Sequence, residues 1–199
     1  MRQHRMTSSY SYDNLEIKAA EGYPCHSEIL QVIEHTMTAY LERHSKMFVM
    51  TLTFTFPSDE YIWPDNSIWQ RFMNSLIIAL KRLSTELDPQ YIWVREQNEG
   101  EHQHYHLILF LNGHRVQHTY GICEKAIRLW GQTVGGSCGR GFVHFHTSNG
   151  FFNGVRVIRG DGDTFGKVFN RLSYYAKTAT KGHPAKPPNV REFGHSTIR

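Results

Sequence analysis

Residues 91–97 (YIWVREQ), 98–101 (NEGE) and 102–111 (HQHYHLILFL) decide how this chain folds. Two apolar runs rich in aromatic and β-branched side chains flank a stretch of turn chemistry, and together they are read as one β-hairpin. Side chains alternate between the two faces of a strand, so His104 and His106 project together, about 7 Å apart at their Cα atoms. His102 has the same parity and stands nearer the turn. With the turn centred on Gly100, Glu96 lies directly across from His104, and a register shift of two residues keeps it on that face. Polar side chains on so apolar a strand need a reason. Two neutral imidazoles and a carboxylate suit a hard or borderline divalent ion such as Mg²⁺, Mn²⁺ or Zn²⁺, with positions left open for a substrate oxygen. His144 and His146 repeat the spacing; they are read as an alternative metal pair, a second layer of the site, or polar surface at a strand end.

Working outward, residues 24–45 form a helix, because Ile29, Ile33, Met37 and Leu41 recur on one face. Residues 47–56 alternate large apolar side chains with threonine and stop at Pro57, as a strand does. Asp65, Asn66 or Ser67 caps a helix over residues 68–87, which Asp88-Pro89 breaks. A third helix spans 119–134, ended by Gly135-Gly136. Strands follow at 142–146 and 155–158, and a last helix, capped by Asp163 or Thr164, runs to Thr180. This order, a helix and then βαββαβ(β)α, defines an α+β single domain with a mostly antiparallel four- to five-stranded sheet and helices packed on it.

The 199 residues fit one domain with short arms. Residues 1–23 are polar, read as an arm of little order, and 1–14 lack a signal-peptide core. A net charge of +4 decides little by itself. The C-terminal stretch says more: Lys177, Lys181, Lys186, Arg191 and Arg199 stand against Glu192 alone, which reads equally as a tail that contacts phosphates or as a solvated terminus. The three cysteines, Cys25, Cys123 and Cys138, lack CxxC spacing, which argues against a disulfide framework and for reduced thiols in a cytoplasmic protein. No apolar run reaches the length of a membrane span.

The last helix carries Tyr174, Tyr175 and Lys177. Helical spacing puts Tyr174 and Lys177 on one face, with Asn170 and Lys181 near it. A phenol, with a pKa of about 10, is a poor nucleophile at neutral pH. A metal polarising a phosphodiester and a nearby ammonium both favour its attack.

Together, His104-Tyr105-His106 and Tyr174-Tyr175-Ala176-Lys177 resemble the HUH endonuclease superfamily. More narrowly, TLTFTFP, WVREQ, HYHLILFLN, VFNRLSYYAKTATK and the closing REFGHS resemble the inovirus (filamentous-phage) gene-two replication proteins, the YagK/YfjJ C-terminal domain family. The resemblance implies a nuclease domain over residues 46–199, ending in the basic tail, with its site on the exposed sheet face. It implies a single-strand DNA endonuclease that initiates rolling-circle replication. His104 and His106 would be metal ligands, Tyr174 the nucleophile and Lys177 the motif lysine, giving a 5′-phosphotyrosine and a free 3′-OH. Glu96 as third ligand rests on the hairpin geometry. Expected partners are single-stranded or hairpin DNA at an origin, held by Lys181, Lys186 and Arg191; exposed aromatics could stack its bases, with Trp93, Tyr105 and Phe193 as candidates that are each read first as core. No GxxxxGK[ST] loop is present, so a host helicase and polymerase are required.

Two features depart from the pattern. Thr178 stands where related initiators often carry another tyrosine, and Tyr175, adjacent to Tyr174, is its rival as nucleophile. A non-catalytic nucleic-acid-binding prophage module and a single-tyrosine transposase or relaxase are the alternative readings.

Overall fold

The computed structural model describes residues 6–18, 24–57, 62, 64–97, 102–136, 139–145, 154–178, 181 and 186–198. The first four strands are two residues each: β1 (Met6–Thr7), β2 (Ser11–Tyr12), β3 (Leu15–Glu16) and β4 (Cys25–His26). β2 and β3 pair across Asp13 and Asn14, both at positive φ (46° and 62°), a conformation that Asp and Asn tolerate better than most residues. β1 pairs with β4. The arm read as having little order thus carries paired strands in its described part. An apolar anchor explains this: Ile17 is buried in the same core cluster as Phe169 and Leu172.

The remaining elements are α1 (Ser27–Arg43), β5 (Lys46–Phe54), α2 (Ser67–Leu83), β6 (Gln90–Glu96), β7 (His104–Asn112), α3 (Tyr120–Thr133), β8 (Val143–Phe145), β9 (Val155–Ile158), α4 (Gly162–Ser173) and β10 (Phe193–His195). The main sheet is antiparallel, in the order β10-β6-β7-β5-β8, with β9 also on β5. β8 pairs with residues 52–54 of β5 and β9 with residues 46–49, so two short strands share one long edge. The expected hairpin has the expected register, with Glu96 opposite His104. The α+β architecture read from the sequence is the one observed. Its sixth strand, β10, comes from the closing REFGHS segment and pairs with β6.

Strand alternation sorts the sheet into two faces, both covered by helices. Phe48, Met50, Leu52, Phe54, Trp93, Tyr105, Leu107, Leu109 and Leu111 share a core cluster with residues of α2 and α3. There Trp69 stacks on Tyr105 at 4.4 Å between centroids, and Phe54, Phe72 and Trp130 meet edge-on or tilted. On the other face, Met47, Val49, Ile92, Val94, Ile108, Phe110 and Val157 share a cluster with α1 and α4. Each fully buried side chain of this size contributes roughly 1.5–3 kcal/mol. Trp93 and Tyr105 are buried in the first cluster, so neither is free to stack on a base; Phe193 is half-buried.

Several local features differ from the sequence reading: α2 ends at Leu83, and residues Thr85–Leu87 form a separate 3₁₀ turn. Asn66 is the residue before α2, but its side chain does not cap the helix. It accepts from the Tyr105 hydroxyl at 2.8 Å and donates to the Arg191 carbonyl at 3.0 Å, while Asp65 accepts from Ser67 N at 2.9 Å. Asp161, not Asp163 or Thr164, caps α4, accepting from Thr164 N at 3.0 Å. Finally, α4 stops at Ser173 instead of reaching Thr180. Residues Tyr174–Ala176 tighten into a 3₁₀ turn, Lys177 is extended, and the chain bridges to Cys25, with Thr178 N donating to the Pro24 carbonyl at 3.0 Å. An outside partner for these backbone groups replaces the next helical turn. Cys25 and Cys123 are buried free thiols, while Cys138 and His146 lie outside the described residues.

Candidate metal centre and its tyrosine

The centre lies at one end of the α1/α4 face. There the sheet's inward side chains turn from apolar to polar. The row His144, Thr53, His106, Val94, Phe193 crosses the sheet from β8 to β10, and the next row holds His104 and Glu96. One donor atom from each of Glu96, His104 and His106 lies within 4.8 Å of the others. Both imidazole Nε2 atoms face Glu96 Oε2, His106 at 3.3 Å and His104 at 3.6 Å. The Thr53 hydroxyl lies 2.9 Å from His106 Nδ1. Without an ion, Nε2–H donates to the carboxylate and Nδ1 accepts from the Thr53 hydroxyl; with a cation on Nε2, the same hydroxyl can accept the Nδ1 proton, the tautomer a metal ligand needs. Donor set, spacing and orientation therefore fit a divalent cation.

His102 is not in this group. The strand begins at His104, so the parity argument does not extend back to it, and its ring packs edge-on to Phe56 instead. His144 is exposed and outside the group, although it shares the row.

Two ammonium groups complete the electrostatics. Lys181 Nζ is 3.2 Å from Glu96 Oε1, and Lys177 Nζ is 4.0 Å from Glu96 Oε2. Burial pushes the Glu96 carboxyl up, but hydrogen bonds from His104 and His106 and the charge of Lys181 outweigh it and hold the group well below the usual carboxylate range. Burial lowers the His106 imidazole and the Lys181 ammonium, each against the pull of Glu96. Lys181, read from the sequence as a DNA-binding residue of the tail, is instead buried in this centre, because Glu96 and the Lys177 carbonyl draw its ammonium inward. Lys186 is half-buried and donates to the Val190 carbonyl at 3.1 Å, and Arg191 is exposed.

The two tyrosines are placed very differently. Tyr174 is exposed, and its hydroxyl accepts from Lys177 Nζ at 2.6 Å. The same ammonium faces Glu96, so one cation separates the phenol from the ligand group. Lys18, from the N-terminal arm, lies 5.7 Å from the Tyr174 ring centre. Its backbone N–H donates to Ser173 Oγ at 2.7 Å, pinning the arm to the end of α4. Tyr175 is buried, its ring 4.9 Å from that of His106, and burial raises its pKa. Asn170 does not face the phenol; its amide donates to the Glu16 carbonyl at 3.4 Å. Beside Lys18 a cavity of about 600 Å³ opens between the arm and α4, lined by Lys18, Glu16, Asn170 and Arg171 together with the ion pair Lys167–Asp163.

The sequence reading missed Thr53 and Lys18. Thr53 had a signal: the threonines of TLTFT alternate with apolar residues, so they had to share a face that another strand's polar residues also use. Lys18 had none, because only the fold brings the arm to the end of α4.

Fold and centre together define an α+β domain with a possible His-His-Glu metal site beside an exposed tyrosine. The chain belongs to the YagK/YfjJ C-terminal domain family, whose model matches residues 7–196. Among solved structures, the N-terminal nuclease domain of non-structural protein 1 of minute virus of mice is similar over 84% of this chain and 79% of its own, with 8% identity and a TM-score of 0.31. Comparison with curated proteins gives no match. Among the described residues, no helix is long and apolar enough to cross a membrane.

Proposed function

We propose that this protein is a divalent-metal-dependent endonuclease that nicks and rejoins one DNA strand at a replication origin, with Tyr174 as its nucleophile. The observation that carries the reading is the juxtaposition of a His104-His106-Glu96 group with an exposed phenol, joined through Lys177. A bound Mg²⁺ or Mn²⁺, with Zn²⁺ as the further option, supplies Lewis acidity toward a phosphate oxygen. The protein's own groups do the rest. Lys177 and Lys18 place two ammonium charges near the Tyr174 ring, where they stabilise the negative charge that builds on the phosphate. The Tyr174 oxygen–phosphorus bond forms as the P–O3′ bond breaks. The phenol proton passes to solvent water, and the departing 3′-oxygen takes one up from it. The covalent 5′-phosphotyrosine conserves the bond energy for later rejoining, while the 3′-OH serves a host polymerase and a host helicase unwinds the duplex. Tyr175 acts as a wall for His106 rather than as the attacking group, since its side chain is buried against that ring while Tyr174 is exposed.

The test is a covalent-adduct assay. Protein, Mn²⁺ and a pool of single-stranded and hairpin DNAs are mixed and resolved under denaturing conditions. The expected outcome is a DNA adduct that disappears with Tyr174→Phe and with chelator. Binding of DNA without any adduct, including DNA flanking the protein's own gene, refutes the enzyme reading in favour of a non-catalytic binding module.

A further inference from the structure

Lys181 is the group that this mechanism does not use. Its side chain is only 2% exposed, as is that of Glu96, and its Nζ lies 3.2 Å from Glu96 Oε1 while also donating to the Lys177 carbonyl at 2.5 Å. Desolvating an ammonium is expensive unless a close opposite charge compensates it, so a buried lysine marks a place where its charge is needed. Here the need is plain. The Glu96 side chain is itself only 2% exposed, and two imidazoles and the more distant Lys177 ammonium are the other groups that face it. A divalent ion entering the group requires a Glu96 oxygen, and it then meets the ammonium already seated on that carboxylate.

We propose that Lys181 is an internal counter-cation of the metal centre: it neutralises Glu96 when no ion is bound and competes with the ion for that carboxylate. Three consequences follow from the charges. The metal-free protein stays folded without an uncompensated buried carboxylate. The centre holds its ion less tightly than two histidines and a glutamate would alone, because a like charge remains within a few ångströms. Removing the ammonium shifts those two properties in opposite directions. The inference rests on the metal-centre reading of Glu96, His104 and His106, and not on the role of Tyr174.

The experiment uses the full chain as wild type, Lys181→Met and Lys181→Arg. Mn²⁺ affinity is measured by calorimetry and thermal unfolding is followed in chelator and in Mn²⁺. Lys181→Met should melt lower than wild type in chelator, bind Mn²⁺ about tenfold more tightly or better, and show the larger Mn²⁺-induced rise in Tm. Lys181→Arg, which keeps the charge, should stay close to wild type. If Lys181→Met folds only with metal present, its affinity is read by chelator competition, and such metal-dependent folding supports the proposal. A purely structural lysine would lower Tm equally with and without Mn²⁺ and leave affinity unchanged or weaker, and that result overturns it. Failure of both wild type and Lys181→Met to bind Mn²⁺ overturns it along with the metal centre. Tighter binding by Lys181→Met in a protein that forms no DNA adduct leaves this inference standing and removes only the nicking reaction.

Discussion

Replacing Thr53 by valine isolates one atom of the centre. The two side chains match in shape, so the change removes the hydroxyl 2.9 Å from His106 Nδ1 while nearly keeping the volume. His106 is 8% exposed, so a ring nitrogen that loses this partner there costs about 1–3 kcal/mol. For a chain of this length each kcal/mol shifts Tm by about 2–4 °C, which puts the fall in chelator at roughly 2–12 °C. The functional effect is separate. Without the hydroxyl the ring gains freedom to turn or to change tautomer, and loss of an orienting partner of this kind typically weakens metal binding about 10–100-fold. Thr53→Ser keeps the oxygen and loses a methyl group, about 0.8 kcal/mol of burial. It should therefore lose some stability while holding Mn²⁺ as wild type does. Calorimetric titration of metal-free protein with Mn²⁺, beside thermal melts, separates the two. Wild-type affinity in Thr53→Val, or equal weakening in the valine and serine variants, refutes the claim that this hydroxyl orients His106.

The tyrosines should separate by stability as well as by chemistry. Tyr174→Phe, at an exposed position, should change unfolding free energy by less than about 0.5 kcal/mol while ending adduct formation. Tyr175→Phe loses a hydrogen bond with Thr51, should cost about 1 kcal/mol, and should leave the adduct in place; the reverse pattern on the same gel makes Tyr175 the nucleophile. Lys18→Met should lower the slope of log affinity against log salt for single-stranded DNA by about 0.7, the share of one phosphate contact, and an unchanged slope removes Lys18 from the DNA path. Asp88 supplies a pH test remote from the centre, where Arg43 and His44 meet its carboxylate at 3.1 and 2.9 Å. Burial pushes the Asp88 carboxyl up, but those hydrogen bonds outweigh it and lower its pKa. A depressed folded pKa means stabilisation that is complete above the ordinary aspartate value of about 3.9 and is lost as pH falls through the folded one. The stability gap between wild type and Asp88→Asn should therefore be constant near neutrality and shrink below about pH 4, and denaturant melts showing a gap that persists into acid contradict it.

The hairpin was legible because its information is local. Alternation fixes which side chains share a face, and a short turn fixes the register, so Glu96 could be set opposite His104 without any knowledge of the rest. The helices were legible for a similar reason, since the apolar repeats of residues 29–41 and 69–80 lie within single elements. What escaped was set by distant parts of the chain. The REFGHS segment reads as tail because three residues carry little strand signal; it becomes β10 only because β6 offers a free edge. Lys181 reads as one of several surface cations, since nothing in its neighbours along the sequence shows that Glu96, 85 residues earlier, draws it inward. The end of α4 was misplaced because the stop is not a proline or glycine but a bridge from Lys177 to Cys25, a contact made across the fold.

That stop also explains why the centre is where it is. Over most of the α1/α4 face the helices cover apolar strand residues such as Val49, Ile108 and Phe110, and burial favours continuing in that way. At Ser173 the cover changes character. The 3₁₀ turn lays the Tyr175 ring on His106, leaves Tyr174 exposed, and sends Lys177 and Lys181 back over Glu96. Thr51, Thr53, His104, His106 and Glu96 are therefore polar where the same strands are apolar a few residues away, and they meet a segment whose helix has just ended. Each of these choices is unfavourable locally: a buried carboxylate, a buried ammonium, imidazoles in an apolar strand and a helix cut short. Sequences that specify one structure tend to break such rules at functional sites, and these four meet around the carboxylate of Glu96.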